Sequence, residues 1–179
     1  MSGHNKWSKI KNQKGADDAK KSKVFAMLSK KITVESKLAK GDKNNPSLRK
    51  AIEKAREANM PNDKIDGAVA KGTGVGGAEM TEVRYEAYGP GGAAIIVEGI
   101  TDNKNRMSPE MKHIISDAGG TFGAEGSVIW AFDKVEGEWV AKMPMEVSET
   151  DKVALEKLLE KIDNHEDVEN IYTNVSNLG

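Results

Sequence analysis

Cysteine is absent from all 179 residues. That excludes disulfides, thiolate metal sites and a cysteine nucleophile, and it fits a reducing compartment. Histidine is nearly as scarce: His4, His113 and His165 are scattered, with no HExxH spacing and no ligand cluster beside them, so neither a metal nor a cofactor is expected. Apolar residues make up 37% of the chain and aromatics 5%, enough for ordinary cores. No apolar run approaches the ~20 residues that cross a bilayer. The basic N-terminus has no apolar stretch behind it, so it does not read as a secretory signal. No G-x-S-x-G elbow and no G-x-x-x-x-G-K-[ST] loop occurs. Gly72-Thr73-Gly74-Val75-Gly76-Gly77 matches G-x-G-x-x-G in form only, because a helical pattern precedes it and a strand follows, the reverse of a dinucleotide site. It reads as a flexible linker. A soluble, cytoplasmic binding protein is expected and not an enzyme, with Asp102 and Arg106 the weak candidates for chemistry.

Positive charge is also missing, but only from one half. Residues 1–78 carry 18 Lys+Arg against 8 Asp+Glu, and residues 79–179 carry 9 against 20. Two halves of opposite sign predict a basic module for polyanions, residues 1–78, joined to an acidic module, residues 79–179.

The basic half reads as an N-terminal arm followed by a three-helix bundle. Val24, Leu28, Ile32 and then Leu38 or Ala39 space one helical stripe that ends at Gly41. Asn45-Pro46 caps a second helix with Leu48, Ile52 and Ala55 inward, and a third follows Pro61 with Ile65, Ala68 and Val69 buried. In the arm, Lys6, Lys9, Lys11 and Lys14 surround Trp7, with His4 at the tip. Lysines neutralise phosphates, and an indole either stacks on a base or pins the arm to a core. Lys20, Lys21, Lys23, Lys30 and Lys31 extend the basic surface along the first helix. Lysine outnumbers arginine, and no helix start gathers base-reading side chains, so backbone contact is expected over base readout.

The acidic half is organised around Tyr85–Arg106. A strand through Tyr85 and Ala87 turns at Gly89-Pro90-Gly91-Gly92 into an apolar strand, Ala93–Ile100, covered on both faces. Glu98 interrupts that strand and must face solvent at an edge or meet a cation, for which Arg84 is the expected mate. A helix is expected from Ser108-Pro109-Glu110, strands at Ser127–Phe132 and Trp139–Val147 across a connection at 133–138, a helix capped by Ser148, and a last strand at Asp167–Val175. The order gives an α+β chain: a ferredoxin-like βαββαβ domain with an extra N-terminal hairpin strand. Tyr85, Tyr88, Asp102, Asn103, Lys104, Asn105 and Arg106 are the expected inter-domain or partner edge.

GHNKW at 3–7, KNQKGADDAKKSKVF at 11–25, NNPSLRKAIEKAREANMP at 44–61, YEAYGPGG at 85–92, TDNKNR at 101–106, GSVIWAF at 126–132 and DVENIYTN at 167–174 resemble the YebC family. Its relatives include the mitochondrial translational activator of cytochrome c oxidase subunit I. The resemblance implies a helical domain followed by a ferredoxin-like domain, with a third lobe inserted between Phe132 and Trp139; this chain reads as a short form lacking most of that lobe. It also implies a nucleic-acid partner: ribosomal RNA or tRNA on the ribosome, where the family helps proline-rich sequences through elongation, or alternatively double-stranded DNA as a transcriptional regulator. Diffuse lysine contact favours the ribosome.

Overall fold

The computed structural model describes residues 6–10, 18–74 and 79–179. Its contacts divide the chain into two units: a helical unit of residues 15–81 and 100–103, and an α+β unit of residues 1–14, 82–99 and 104–179.

Three helices build the helical unit: α2 (Asp18–Leu38), α3 (Pro46–Glu57) and α4 (Asn62–Thr73). Asn45 caps α3, its side chain accepting from the N–H groups of Ser47 and Leu48 at 3.0 and 3.3 Å, with Pro46 in the first turn where no N–H is needed. The buried face of α3 is Leu48, Ala51, Ile52 and Ala55. On α2 the inward seam departs from the expected stripe at Val24, which is 47% exposed, and of the two candidates at its end Ala39 packs inward while Leu38 is 75% exposed. The seam passes instead through Phe25, Leu28, Ile32 and Ser36. It carries polar residues because α2 and α4 approach closely: Ser36 Oγ donates to the Val69 carbonyl at 2.7 Å and Thr33 Oγ1 to that of Ala68 at 3.2 Å. Gly72 belongs to this contact, where a Cβ would lie 2.6 Å from both Ser36 Cβ and the Thr33 carbonyl oxygen. The glycine-rich segment therefore begins as helix, not as linker; residues 75–78 lie outside the described residues.

In chain order the α+β unit holds α1 (Trp7–Ile10), β1 (Thr81–Tyr88), β2 (Ala94–Thr101), α5 (Lys104–Asp117), β3 (Thr121–Gly123), β4 (Phe132–Val135), β5 (Glu138–Ala141), α6 (Glu149–Asp163) and β6 (Val168–Thr173). One sheet runs β3-β1-β2-β6, and β4-β5 form a separate ribbon. The chain leaves β2, passes through α5 and returns at β3 on the far side of β1. This is the split crossover of a ferredoxin-like sheet, but the hairpin strand β1 is a central member and no addition. Gly91 and Gly92 turn the β1–β2 hairpin at φ of +74 and +78°, which glycine adopts without cost.

As expected, β2 is covered on both faces. Ile95 and Val97 join Met107, Met111, Ile115 and the leucines of α6 in one core. Ala94 and Ile96 face the other way, onto Val128, Ala131, Phe132 and Trp139. The expected strand at Ser127–Phe132 is not a strand: Ile129–Ala131 is a 3₁₀ turn with Trp130 53% exposed. Glu86 explains this. Its carboxylate, buried on β1, accepts from the N–H groups of Gly126 at 2.7 Å, Val128 at 3.0 Å and Ile129 at 2.8 Å, so those donors have no strand partner to seek. Glu98 likewise finds other partners than Arg84: Trp139 Nε1–H at 2.8 Å, Asn170 Nδ2 at 3.2 Å and Lys134 at 3.5 Å. Arg84 pairs with Glu125 at 3.3 Å.

Between β4 and β5 the connection is Glu136-Gly137 alone, with φ of +51 and +82°, a two-residue turn of the type that suits strand twist. Helix α5 begins at Lys104, four residues before its expected Ser108-Pro109 start, and carries Pro109 inside. Ser148 caps α6 as expected, its Oγ accepting from the Asp151 N–H at 3.1 Å.

Removing the Glu86 carboxylate leaves three backbone donors to be satisfied elsewhere. Glu86→Ala is expected to lower stability by about 2–3 kcal/mol, and Glu86→Gln by less because its amide oxygen still accepts. Urea unfolding midpoints of the three proteins check this ranking.

Candidate nucleic-acid interface

The described part of the N-terminal arm belongs to the α+β unit. Trp7 is 6% exposed and sits in the core with Ile95, Val97 and α6. An indole so placed has no face for a base, so of the two roles open to Trp7 the structure assigns the anchor. Beside it, Lys6 bridges backbone to backbone with Tyr172, lies 3.5 Å from Glu138 and 5.9 Å from the Tyr172 ring centroid. Burial, with the nearby carboxylates of Glu98, Glu138 and Glu169, pushes the Tyr172 hydroxyl well above its ordinary pKa, so the ring stays neutral under the lysine. His4, Lys11 and Lys14 lie outside the described residues, as do the side chains of Lys9 and Lys20.

Helix α2 displays the remaining predicted lysines on the helical unit. Lys21 is exposed, while Lys23, Lys30 and Lys31 are half-buried. Lys31 pairs with Glu35 one turn on, at 3.3 Å. The stems of Lys30 and Lys31 can cover apolar surface while the ammonium reaches solvent, whereas the Lys23 ammonium is itself buried.

More positive charge stands on α3 and α4, which the sequence reading did not single out. Lys50, Lys54 and Arg56 on α3 and Lys64 and Lys71 on α4 are all exposed. Spacing holds the signal: Lys50 and Lys54 are one turn apart, and Lys64 and Lys71 two turns apart on one face. Other cations here are held loosely. Lys37 meets Glu79 at 2.6 Å and Lys43 meets Asp66 at 3.0 Å, all four side chains more than half exposed. The hydrogen bond from Lys37 holds the Glu79 carboxyl below its ordinary pKa. Exposed pairs of this kind contribute little to stability, so a phosphate can take the lysine at small cost.

Of the predicted edge residues, Asp102 and Asn103 belong to the helical unit and the others to the α+β unit. Asp102, Asn103, Lys104 and Asn105 are exposed. Arg106 is instead a clamp, contacting Glu110 at 2.9 Å, Glu166 at 3.9 Å and the buried Asp167. His165 completes that cluster: its Nδ1 accepts from the Asp167 N–H at 3.1 Å, so Nε2 carries the proton toward Glu110 at 2.8 Å. The tyrosines point inward. Tyr88 Oη donates to the Ser127 carbonyl at 2.8 Å, and the Tyr85 ring packs 5.6 Å from that of Phe122. Burial, then the Asp167 carboxylate, raises the pKa of Tyr85 against a hydrogen bond from Ser108. Among the described residues no cluster of three His, Asp or Glu could hold a metal ion, and no helix is long and apolar enough to cross a membrane.

A lysine-studded helical unit followed by an acidic α+β unit with a ferredoxin-like sheet defines a class of small two-part proteins with a surface for polyanions. Comparison with known proteins narrows that class. Residues 5–75 match the TACO1/YebC protein N-terminal domain, and residues 80–137 and 133–175 match the TACO1/YebC second and third domain. The chain belongs to the TACO1/YebC family. Two relatives named probable transcriptional regulatory protein align over 99% of the chain: one from Petrotoga mobilis is 45% identical and covered over 72% of its length, one from Desulfosudis oleivorans 47% and 73%. A conserved hypothetical protein from Aquifex aeolicus, solved by crystallography, superposes with a TM-score of 0.84 at 27% identity, over 95% of this chain and 96% of that one. The two pieces of the second match meet at residues 133–137, inside the β4–β5 hairpin.

If Trp7 is an anchor, Trp7→Ala costs folding before it costs binding. A loss of about 3–5 kcal/mol is expected, as for other buried large-to-small changes, with Trp7→Phe much milder. Thermal unfolding of both variants measures it; an unmoved midpoint for Trp7→Ala would return the residue to the list of ligand contacts.

Proposed function

We propose that this protein is a nucleic-acid-binding, non-enzymatic regulator of gene expression that works in translation. In this reading the helical unit grips phosphates of ribosomal RNA, or of tRNA on the ribosome, and the protein assists elongation through difficult, proline-rich sequences. The observation that carries it is the segregation of charge, 18 Lys+Arg against 8 Asp+Glu in residues 1–78, with exposed lysines on all three helices of one unit. Lysine is a point charge that meets phosphate without reading bases, which suits the irregular surface of structured RNA. The acidic unit repels the same RNA and so orients the molecule, leaving its exposed Lys104 and Asn105 as an edge for a partner.

A second reading is favoured by the names of the relatives: a regulator of transcription on double-stranded DNA. Competition decides between them. With ribosomes and promoter duplex offered together at physiological salt, the protein is expected to co-sediment with ribosomes. A promoter-to-random specificity ratio far above one would favour transcription instead.

Affinity for RNA is expected to fall with salt by roughly 0.7–0.9 log units per log unit of salt for each phosphate engaged. A binding curve flat between low and physiological salt overturns phosphate gripping altogether.

A further inference from the structure

Between α2 and α4 the helical unit opens a cleft of about 410 Å³. Ser22, Phe25 and Ser29 line it from α2, and Lys64, Gly67 and Lys71 from α4. We infer that this cleft seats a single strand of nucleic acid, with bases against Phe25 and phosphates on Lys64 and Lys71. The inference rests on the nucleic-acid reading above and specifies the strand form and the residues.

Its parts match the chemistry of a strand. Lys64 and Lys71 are two turns apart on one face of α4, about 10 Å along the axis, so they can neutralise separate phosphates of one backbone. Phe25 is half-buried, and the Lys64 ammonium stands 5.8 Å from its ring centroid, which places an aromatic platform next to a cation, the pairing that binds bases without sequence preference. The hydroxyls of Ser22 and Ser29 can donate or accept at a base edge or a 2′-hydroxyl. At Gly67 an added Cβ would meet nothing within 4 Å, so the wall is open there and a ligand can lie close to the helix backbone. The cleft lies before the point on α2 where Thr33 and Ser36 close onto α4, and a duplex would touch only its rim. Ala26, Met60 and Ala68 complete the lining and give a base an apolar floor to lie against.

Gly67→Leu tests the shape without touching a charge. The substitution fills the cleft and improves helix propensity, so the thermal midpoint is expected at or above that of the unmodified protein. Fluorescence anisotropy with labelled oligouridine, oligothymidine and a mixed-sequence RNA duplex reads the outcome. Gly67→Leu is expected to weaken both single strands by about tenfold or more, with duplex affinity changed by less than about twofold. Gly67→Ala should bind nearly as the unmodified protein does, and Lys64→Ala with Lys71→Ala should weaken the single strands as Gly67→Leu does. Unchanged single-strand binding in Gly67→Leu overturns the cleft assignment, as does an equal loss of duplex binding. If the unmodified protein binds none of the three probes at low salt, the nucleic-acid reading itself fails, and the two failures are thereby told apart.

Discussion

A strand that is apolar on both faces has to be covered twice, and that constraint shapes the α+β unit. Helices α5 and α6 cover one face of β2, as any ferredoxin-like sheet would arrange. The other face is covered by Gly126–Ala141, a turn followed by the two-stranded β4–β5 ribbon. Two carboxylates hold it in place. Glu86 binds three backbone N–H groups of the 126–129 turn, and Glu98 binds the Trp139 indole N–H from the ribbon. Both carboxylates stand on the sheet and face the cover, so each accepts hydrogen bonds that the cover lacks within itself. The Trp139 ring is flanked by Lys134 at 4.6 Å and Arg84 at 5.6 Å, which adds attraction, and Lys134 also meets Glu98 at 3.5 Å.

This arrangement also explains which elements were legible in the sequence. Helix caps at Asn45 and Ser148 act within a few residues, so they read directly. The two-sided burial of β2 was equally plain from its unbroken apolar run. The 126–132 segment was not, because Val128, Trp130 and Phe132 alternate as a strand does while their backbone partners are supplied by Glu86, distant in sequence. A buried carboxylate serving as a backbone acceptor carries no local signature. The start of α5 was hidden by Ser108-Pro109-Glu110, a valid opening placed in the second turn of a helix already begun. On α2 the apolar count misled, since the helix is gripped through Thr33 and Ser36 and close approach at Gly72, where small and polar residues pack better than large ones. Of the candidate site, the sign and location of the charge were readable from composition, but the face was not. Lys64 and Lys71 emerge only once α4 is laid against α2.

Family membership and surface chemistry constrain the ligand in different ways. Identity of 45–47% over 99% of the chain fixes the family, yet phosphate-binding lysines specify charge and not sequence or sugar. Specificity must then come from shape. The β4–β5 ribbon bears on this, because its two-residue turn closes the chain at the place where the resemblance sets a further lobe. A short hairpin stands there instead, and in the proposed reading recognition rests on the helical unit.

That shift matters for selectivity. Isolated lysines on a convex helix surface bind any polyanion and lose affinity steeply with salt. A cleft adds a geometric criterion that salt does not screen: a strand must present bases and backbone together within the width between two helices. Stacking on a half-buried ring survives at ionic strengths where loose lysine contacts have been displaced. A protein whose acidic unit repels nucleic acid as strongly as its helical unit attracts it gains little from net charge. It depends on the few positions where charge and shape coincide, and on the helical unit those positions are Phe25, Lys64 and Lys71.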